Sequence, residues 1–502
     1  MTHPGMKQNQ TVAIIGSGIG GLSAAIFLSK QGYKVEVFEK NDKPGGRCGQ
    51  TIRKGHRFDL GATIYFLPSI YEQVFSKMGL DVEDCFEFLP METLYKLYFD
   101  DDSQLIFSHD PKVLEEQLEK REHGSYKRAL RYVKKGYKFL EIGLCKLLDR
   151  NFYHPFQFIT LNNLIQIIRI KGHLKHSFYI KRFFKHPHLQ MAFTFQNIYV
   201  GQSPFNSSAL FSMLPAAEIQ EGSMFPKGGM HNIVEKMIDI AKSHGAIFHY
   251  SMPVSQIVTE DRQAKKIIFQ DGSEHVSDLI VANADLPYVY KELLPPCRQA
   301  KRINKHQFTS SAIVFHWGLD KTYPQLSQHN VFLVDDYKNA LDSIFKKHSL
   351  SDRPCFYVHA PCRTDSTAAP EGEDTISVVI PVPHLDKKND LDWQHLKKIA
   401  RQAVLDRLKR IGINDLNEHI KFEISHLPED WESYVNVTRG ATFGSINHRI
   451  FQMGYFRPHN RHRKYRNLYF AGGSTHPGNG IPLVLLSGKL TAERILNDHP
   501  NQ

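Results

Sequence analysis

The chain has 502 residues, 41% hydrophobic and 23% charged, an ordinary globular mix that excludes wholesale disorder and, at this length, predicts two or three domains or subdomains. Thirty-three Gly and twenty-five Pro fall without a repeat, which excludes collagen-like and solenoid chains, and no run of eighteen apolar residues predicts a spanning helix. The net charge of +11 implies an anionic partner, nucleic acid or acidic lipid, and six scattered Cys without a CxxC pair predict a reducing, cytoplasmic compartment.

Lys7 followed by the apolar run Val12 to Leu28 has the outline of a signal peptide. Its internal glycines and the lack of a small-residue cleavage site favour a strand and helix of the fold. Residues 11–15, TVAII, predict a buried parallel strand. Gly16, Gly18 and Gly21 then satisfy G-x-G-x-x-G, with Gly20 between them, and an Ala-rich helix runs to about Lys30, ended by Gly32. Residues 34–38, KVEVF, predict a second strand closed by Glu39. The first glycine permits the tight turn, the second lets backbone approach a pyrophosphate, and the third lets helix and strand pack closely. Glu39 lies eighteen residues past Gly21, near the spacing of a carboxylate that holds adenosine ribose hydroxyls. Lys40 leads to Gly45-Gly46-Arg47, bare backbone amides beside a cation, suited to phosphates. Phe58-Asp59-Leu60-Gly61-Ala62-Thr63 adds another glycine turn.

Residues 146–190 carry eight Lys/Arg, one acidic residue, five His and eight Phe/Tyr. A solvated basic face and a membrane-surface patch both account for this, and no zinc framework or recognition-helix pattern supports nucleic-acid binding. His173 with His176 and His186 with His188 lack partners for a metal site and read as solvated; no metal is expected. Pro226-Lys227-Gly228-Gly229-Met230 predicts the start of a helix. Residues 266–285 predict a hairpin: KIIFQ, an Asp271-Gly272 turn, then one strand ending at Val281-Ala282-Asn283-Ala284-Asp285. In residues 467–494, a strand from Leu468 to Ala471 meets Gly472-Gly473, and Gly480-Ile481-Pro482 opens an apolar helix. No G-x-S-x-G elbow or Walker loop exists.

The order Glu39, Gly45-Gly46-Arg47, Asp59-x-Gly61 resembles the FAD-binding half of the amine-oxidase and carotenoid-desaturase superfamily. The C-terminal segment, with Phe456 to Asn460 before it and the Pro-x-Gly-Gly-Met passage, resembles bacterial-type carotenoid (phytoene) desaturases. The resemblance implies an α/β fold: a Rossmann-like FAD domain from 1–75, 215–295 and 430–502, and a mixed-sheet substrate domain with a helical, membrane-facing cap from 76–214 and 296–429. It implies FAD held by Gly16, Gly18, Gly20, Gly21, Glu39, Lys40, Gly45, Gly46, Arg47, Gly61, Ala62, Thr63, backbone near Val254, Gly472, Gly473, Gly480, Ile481 and Pro482. No Cys follows Cys362, so the flavin is expected to be noncovalent. Ala62 and Leu483 depart from that family's pattern of Pro and a small residue, and both are expected to border flavin or substrate.

The implied activity is desaturation of phytoene or its C30 analogue by hydride transfer to flavin, with quinone or oxygen as final acceptor, at the inner face of the cell membrane. Alternatives are a later-step desaturase, a polyene reductase or isomerase of the retinol-saturase type, or a non-catalytic prenyl-protein escort on the same fold. The intact Gly16, Gly18, Gly21 and Glu39 weigh against the escort. No catalytic dyad stands out. Glu218 is the candidate base, against its reading as a solvated carboxylate at a helix end.

Overall fold

The computed structural model describes residues 10–169, 171–388 and 390–500; Lys7 lies outside them. Strand β1, Thr11–Ile15, is buried on both faces, and its β-branched side chains suit a central parallel strand. It pairs in parallel with β2, Lys34–Phe38, on one side and with Leu279–Ala282 on the other. The full sheet runs Leu468–Phe470, Leu279–Ala282, β1, β2, Ile247–His249, so three distant segments share one parallel layer. Asp278 ties two of them, accepting from the Thr11 amide at 2.8 Å and the Thr11 hydroxyl at 2.9 Å.

Helix α1, Ile19–Lys30, crosses between β1 and β2 and is buried almost all round. It lies against the C-terminal helix Ile481–Asp498, which is buried through Leu485–Ala492. Their approach depends on Gly488, where an added Cβ would stand 2.4 Å from the Gly20 carbonyl and 2.5 Å from Ser23 Cβ. Ser23 Oγ donates to the Leu485 carbonyl at 2.8 Å across the same contact.

A second, seven-stranded sheet is mixed. Its order is Ile420–His426, Ser311–Leu319, Asp374–Val382, Phe356–His359, His329–Phe332, Tyr95–Tyr98, Gln104–Phe107. All its pairs are antiparallel except His329–Phe332 with Tyr95–Tyr98. Helices including Ser125–Gly143 and Met213–Glu221 stack beside it. No helix among the described residues is long and apolar enough to cross a membrane.

The expected hairpin over 266–285 is split. Gln263–Phe269 pairs with the short strand Glu274–Val276, and Leu279–Ala282 leaves for the parallel sheet. The strand Glu274–Val276 is largely exposed, whereas Leu279–Ala282 is wholly buried, so these two stretches obey different environments. His176 and His188 are not solvated. His176 is hydrogen-bonded between the Tyr132 hydroxyl and Asn197 Oδ1, each at 2.7 Å, and burial pulls its pKa down to about 4. His188 stacks on Phe99 with ring centroids 3.9 Å apart. No metal-binding cluster occurs among the described residues.

Candidate functional site

The C-terminal ends of the parallel strands open onto a cavity of about 930 Å³, the position where open α/β sheets take ligands. Gly16, at φ 98°, turns the chain from β1 into α1. At Gly21 an added Cβ would lie 2.3 Å from the Gly16 carbonyl, so the turn closes only on glycine. The second glycine turn is laid against the first: the Gly45 amide donates to the Ser17 carbonyl at 3.1 Å, and Gly18 and Gly45 form an isolated parallel bridge. Gly61 backs onto this loop, where a Cβ would meet the Arg47 carbonyl at 2.2 Å.

Glu39 is buried at the end of β2. Its Oε2 accepts from the Ser17 amide at 2.9 Å and the Ser17 hydroxyl at 2.8 Å, and its Oε1 accepts from the Asn41 amide at 3.0 Å. The carboxylate is therefore fixed before any ligand arrives. Lys40 reaches the Ser433 carbonyl at 2.5 Å and Asn436 Oδ1 at 2.8 Å, joining the rim to the segment after the substrate sheet.

Arg47 faces the cavity and makes no ion pair among the described residues; its one hydrogen bond, to the Thr442 carbonyl, is 3.3 Å long. Burial lowers its pKa, and the Asp285 charge opposes that shift. Asp285 itself is occupied by the Thr438 amide at 3.0 Å and the Ser445 and Ser474 hydroxyls. A half-buried guanidinium without a carboxylate, beside two glycine turns and the first-turn amides of α1, is a cradle for a diphosphate.

The C-terminal turn completes that end. Gly472 has φ 120° and Gly480 φ 88°, and a Cβ on Gly480 would meet nothing within 4 Å, so bare backbone faces the cavity where the helix Ile481–Asp498 begins. Arg457 holds this turn from behind. It is fully buried and gives its guanidinium to five carbonyls, those of Ile446, Asn447, Gln452, Gly473 and Thr475, and burial brings its pKa down to about 9. The rest of the cavity is apolar, with Phe139, Leu147, Leu148, Phe158, Phe211 and Leu483 among its walls. Polar groups interrupt it, among them His173, Tyr199, Tyr357 and His448. Tyr357 accepts or gives a hydrogen bond to Thr63 Oγ1 at 3.0 Å and is 2.6 Å from His329 Nδ1. His448 is buried with neither ring nitrogen hydrogen-bonded. Burial, and then the Arg457 charge, hold it well below the ordinary histidine pKa, so it is a neutral imidazole.

Of the residues expected to hold FAD, every one lines this cavity except Gly21, which packs beneath it, and Leu483 lines it too; the turns at 226–230 and Asp271-Gly272 lie elsewhere. Glu218 does not. Instead of a solvated helix end, it is buried within Met213–Glu221, accepting from the Tyr95 hydroxyl at 2.8 Å and Gln196 Nε2 at 3.2 Å, and burial pushes its pKa up to about 8. Sequence reasoning missed Asn283, whose side chain lies under Gly18 and Gly20 and donates to the Ala471 carbonyl at 3.1 Å. It missed Asp285 and His448 as well. Asn283 and Asp285 sat in a passage read only as a strand end, and nothing local marks His448.

A cavity with a diphosphate cradle at one end and an apolar bore at the other defines a flavin-dependent oxidoreductase of an apolar substrate. A family model described as flavin containing amine oxidoreductase matches residues 19–496, and the chain belongs to that family; its cofactor is FAD. The chain is 37% identical over 491 residues to a zeta-carotene-forming phytoene desaturase of Myxococcus xanthus, covering 97% of this chain and 94% of that one. It is 32% identical over 497 residues to a 4,4'-diapophytoene desaturase (4,4'-diaponeurosporene-forming) of Staphylococcus aureus, covering 97% and 99%. Among solved structures, an oxidoreductase from Methanosarcina mazei superposes with a TM-score of 0.64 at 16% identity, over 96% of this chain and all of that one, a likeness of fold.

Proposed function

We propose that the protein is an FAD-dependent desaturase that introduces C=C bonds into a carotenoid precursor, phytoene or 4,4'-diapophytoene. The observation that carries this reading is the single cavity in which the diphosphate cradle and the apolar bore are continuous. Relatives matched over nearly their whole lengths carry desaturase names.

Bound FAD would supply a two-electron acceptor for the hydride lost from a saturated carbon of the substrate. The protein's own groups bind and orient. The Gly16–Gly20 and Gly45–Arg47 turns hold the diphosphate, and Glu39 accepts from the ribose hydroxyls while Ser17 and Asn41 keep it in place. With no cysteine near the C-terminal turn, the flavin is held without a covalent bond. The first turn of Ile481–Asp498 presents the positive end of the helix to the cavity, where it would favour negative charge on a bound, reduced flavin. Loss of hydride leaves a cation allylic to the existing polyene and strongly acidic at the adjacent carbon. A weak base is enough to collect that proton, and the unpaired nitrogens of neutral His448 provide one in the cavity wall. The apolar walls exclude water, which would otherwise trap the cation.

Such substrates reside in bilayers, so the helical cap is read as facing a membrane at the cytoplasmic side, with quinone or oxygen as final acceptor. Support comes from the basic, aromatic segment 146–190. Phe156 is 82% exposed, and Ile159, Leu161, Ile168 and Phe178 are also exposed. Phe183 and Phe184, by contrast, belong to the core, so they do not contribute to such contact. The test is to purify the protein, record its flavin spectrum, and supply phytoene or 4,4'-diapophytoene in liposomes. Anaerobic bleaching of the flavin with formation of a longer polyene is expected. A flavin-loaded protein that converts neither would overturn the reading.

A further inference from the structure

A second cavity of about 670 Å³ lies beside the first and serves no step above. It gathers residues from separate parts of the chain, among them Arg262, Arg463, Lys464, Arg466 and Arg494. Among the described residues, only Arg461 and Arg494 have a carboxylate there, both sharing Asp498 at 3.2 and 3.0 Å. Arg262, Arg463, Lys464 and Arg466 make no ion pair among the described residues, and Arg461 Nε is buried without a partner. Like charges that converge without counter-charges repel one another, and an anion relieves that repulsion. The field is visible at His459, whose pKa falls to about 4 through burial and then the charges of Arg463 and Arg494.

The setting narrows the anion. Phe152 separates the two cavities, standing 5.3 Å from Phe158 of the large one and 6.4 Å from Tyr455 of the small one, centroid to centroid. Next to this wall, Phe156 and Phe451 are 82% and 76% exposed, and Phe456 packs on Phe451 at 5.7 Å. Exposed aromatics thus border a pocket of guanidinium forks, which match phosphate oxygens in pairs.

We propose that this cavity binds a phosphate group, carried by an anionic phospholipid headgroup or free in solution. The headgroup form rests on the membrane reading above; the free form does not. The experiment uses the flavin-loaded protein, the triple variant Arg463→Glu/Lys464→Glu/Arg466→Glu and the milder Arg463→Gln/Arg466→Gln, with retained flavin absorbance as the check on folding. The probes are phosphatidylglycerol–phosphatidylcholine vesicles, phosphatidylcholine vesicles, and inorganic phosphate and pyrophosphate followed by melting temperature. For a headgroup, the triple variant binds the anionic vesicles about a hundredfold more weakly, the double variant by a smaller factor, and binding to neutral vesicles is unchanged. For a free phosphate, phosphate or pyrophosphate raises the melting temperature of the parent and not of the variants, whatever the vesicles do. If the parent binds anionic vesicles and the triple variant binds them equally, with no stabilisation by either phosphate, the cavity proposal is wrong and the membrane reading stands. If no vesicle binds the parent but phosphate stabilises it, the membrane reading fails and the cavity remains.

Discussion

Glu218 gives a direct test of how burial governs this site's surroundings. The carboxyl is enclosed, with Tyr95 and Gln196 donating to it and no cation paired with it among the described residues. Desolvation raises its pKa from 4.5 to about 8, and the two hydrogen bonds only partly offset that. Below pH 4.5 the group is protonated in folded and unfolded chains alike. Between 4.5 and about 8 the unfolded chain releases the proton and the folded chain keeps it. The folded state then binds more protons, so stability falls as pH rises through that window and levels off above it. The slope is at most about 1.4 kcal/mol per pH unit, and the whole window is worth up to ~5 kcal/mol. Glu218→Gln keeps the shape and removes the ionisation. Its melting temperature is expected to match the parent's near pH 4 and exceed it increasingly towards pH 8. Because Glu218 does not line the large cavity, flavin content and desaturation are expected to survive. A gap that stays constant with pH would refute the titration argument. Loss of turnover with normal stability would place Glu218 in the chemistry instead.

Three further outcomes are expected. Gly21→Ala drives a Cβ to 2.3 Å from the Gly16 carbonyl, a backbone atom that cannot swing away, whereas at Gly18 the nearest atom, at 2.9 Å, belongs to the Asn283 side chain. Purified Gly21→Ala is therefore expected to lose flavin and about 1–3 kcal/mol of stability, and Gly18→Ala to keep more of both, with absorbance at the flavin band and thermal melting as the measures. Glu39→Ala removes the acceptor and also strands the Ser17 and Asn41 amides; FAD is expected to bind roughly ten- to a hundredfold more weakly by fluorescence titration. His448→Phe fills the same space without a base, and single-turnover flavin reduction is expected to slow by about 10²-fold or more, with FAD affinity unchanged. Equal rates would exclude the imidazole as proton acceptor.

The parts of the molecule legible in the sequence are those whose physics is local. The turn at Gly16–Gly21, the strands on either side of α1 and the strand–turn–helix from Leu468 onward need only neighbours in the chain, and they stand where their residues predict. Long-range pairing is different. Nothing near Leu279 says that it joins β1 rather than continuing the hairpin; the decision is made by Asp278, whose carboxylate is taken by Thr11, 267 residues away in sequence. The seven-stranded sheet places Tyr95–Tyr98 beside His329–Phe332 in parallel, a pairing no local pattern announces.

Charge states were hidden for the same reason. A histidine or glutamate reads as solvated until the fold encloses it, and His176, His448 and Glu218 acquire their neutral forms only from that enclosure. This bears on function. His448 and Tyr357 in the bore are kept uncharged by burial, while cations without an ion pair among the described residues stand at Arg47, in the diphosphate cradle, and in the second cavity at Arg463, Lys464 and Arg466. On the proposed reaction, an allylic cation forming in the bore would meet neutral side chains at His448 and Tyr357, with Arg47 left to face the cradle. Arg457 is the telling exception: its guanidinium is buried near the reaction space, and its charge is spread over five backbone carbonyls. Those carbonyls hold the guanidinium in place and stiffen the glycine turn at Gly472-Gly473, while the remaining field of Arg457 reaches His448 and helps keep that imidazole neutral.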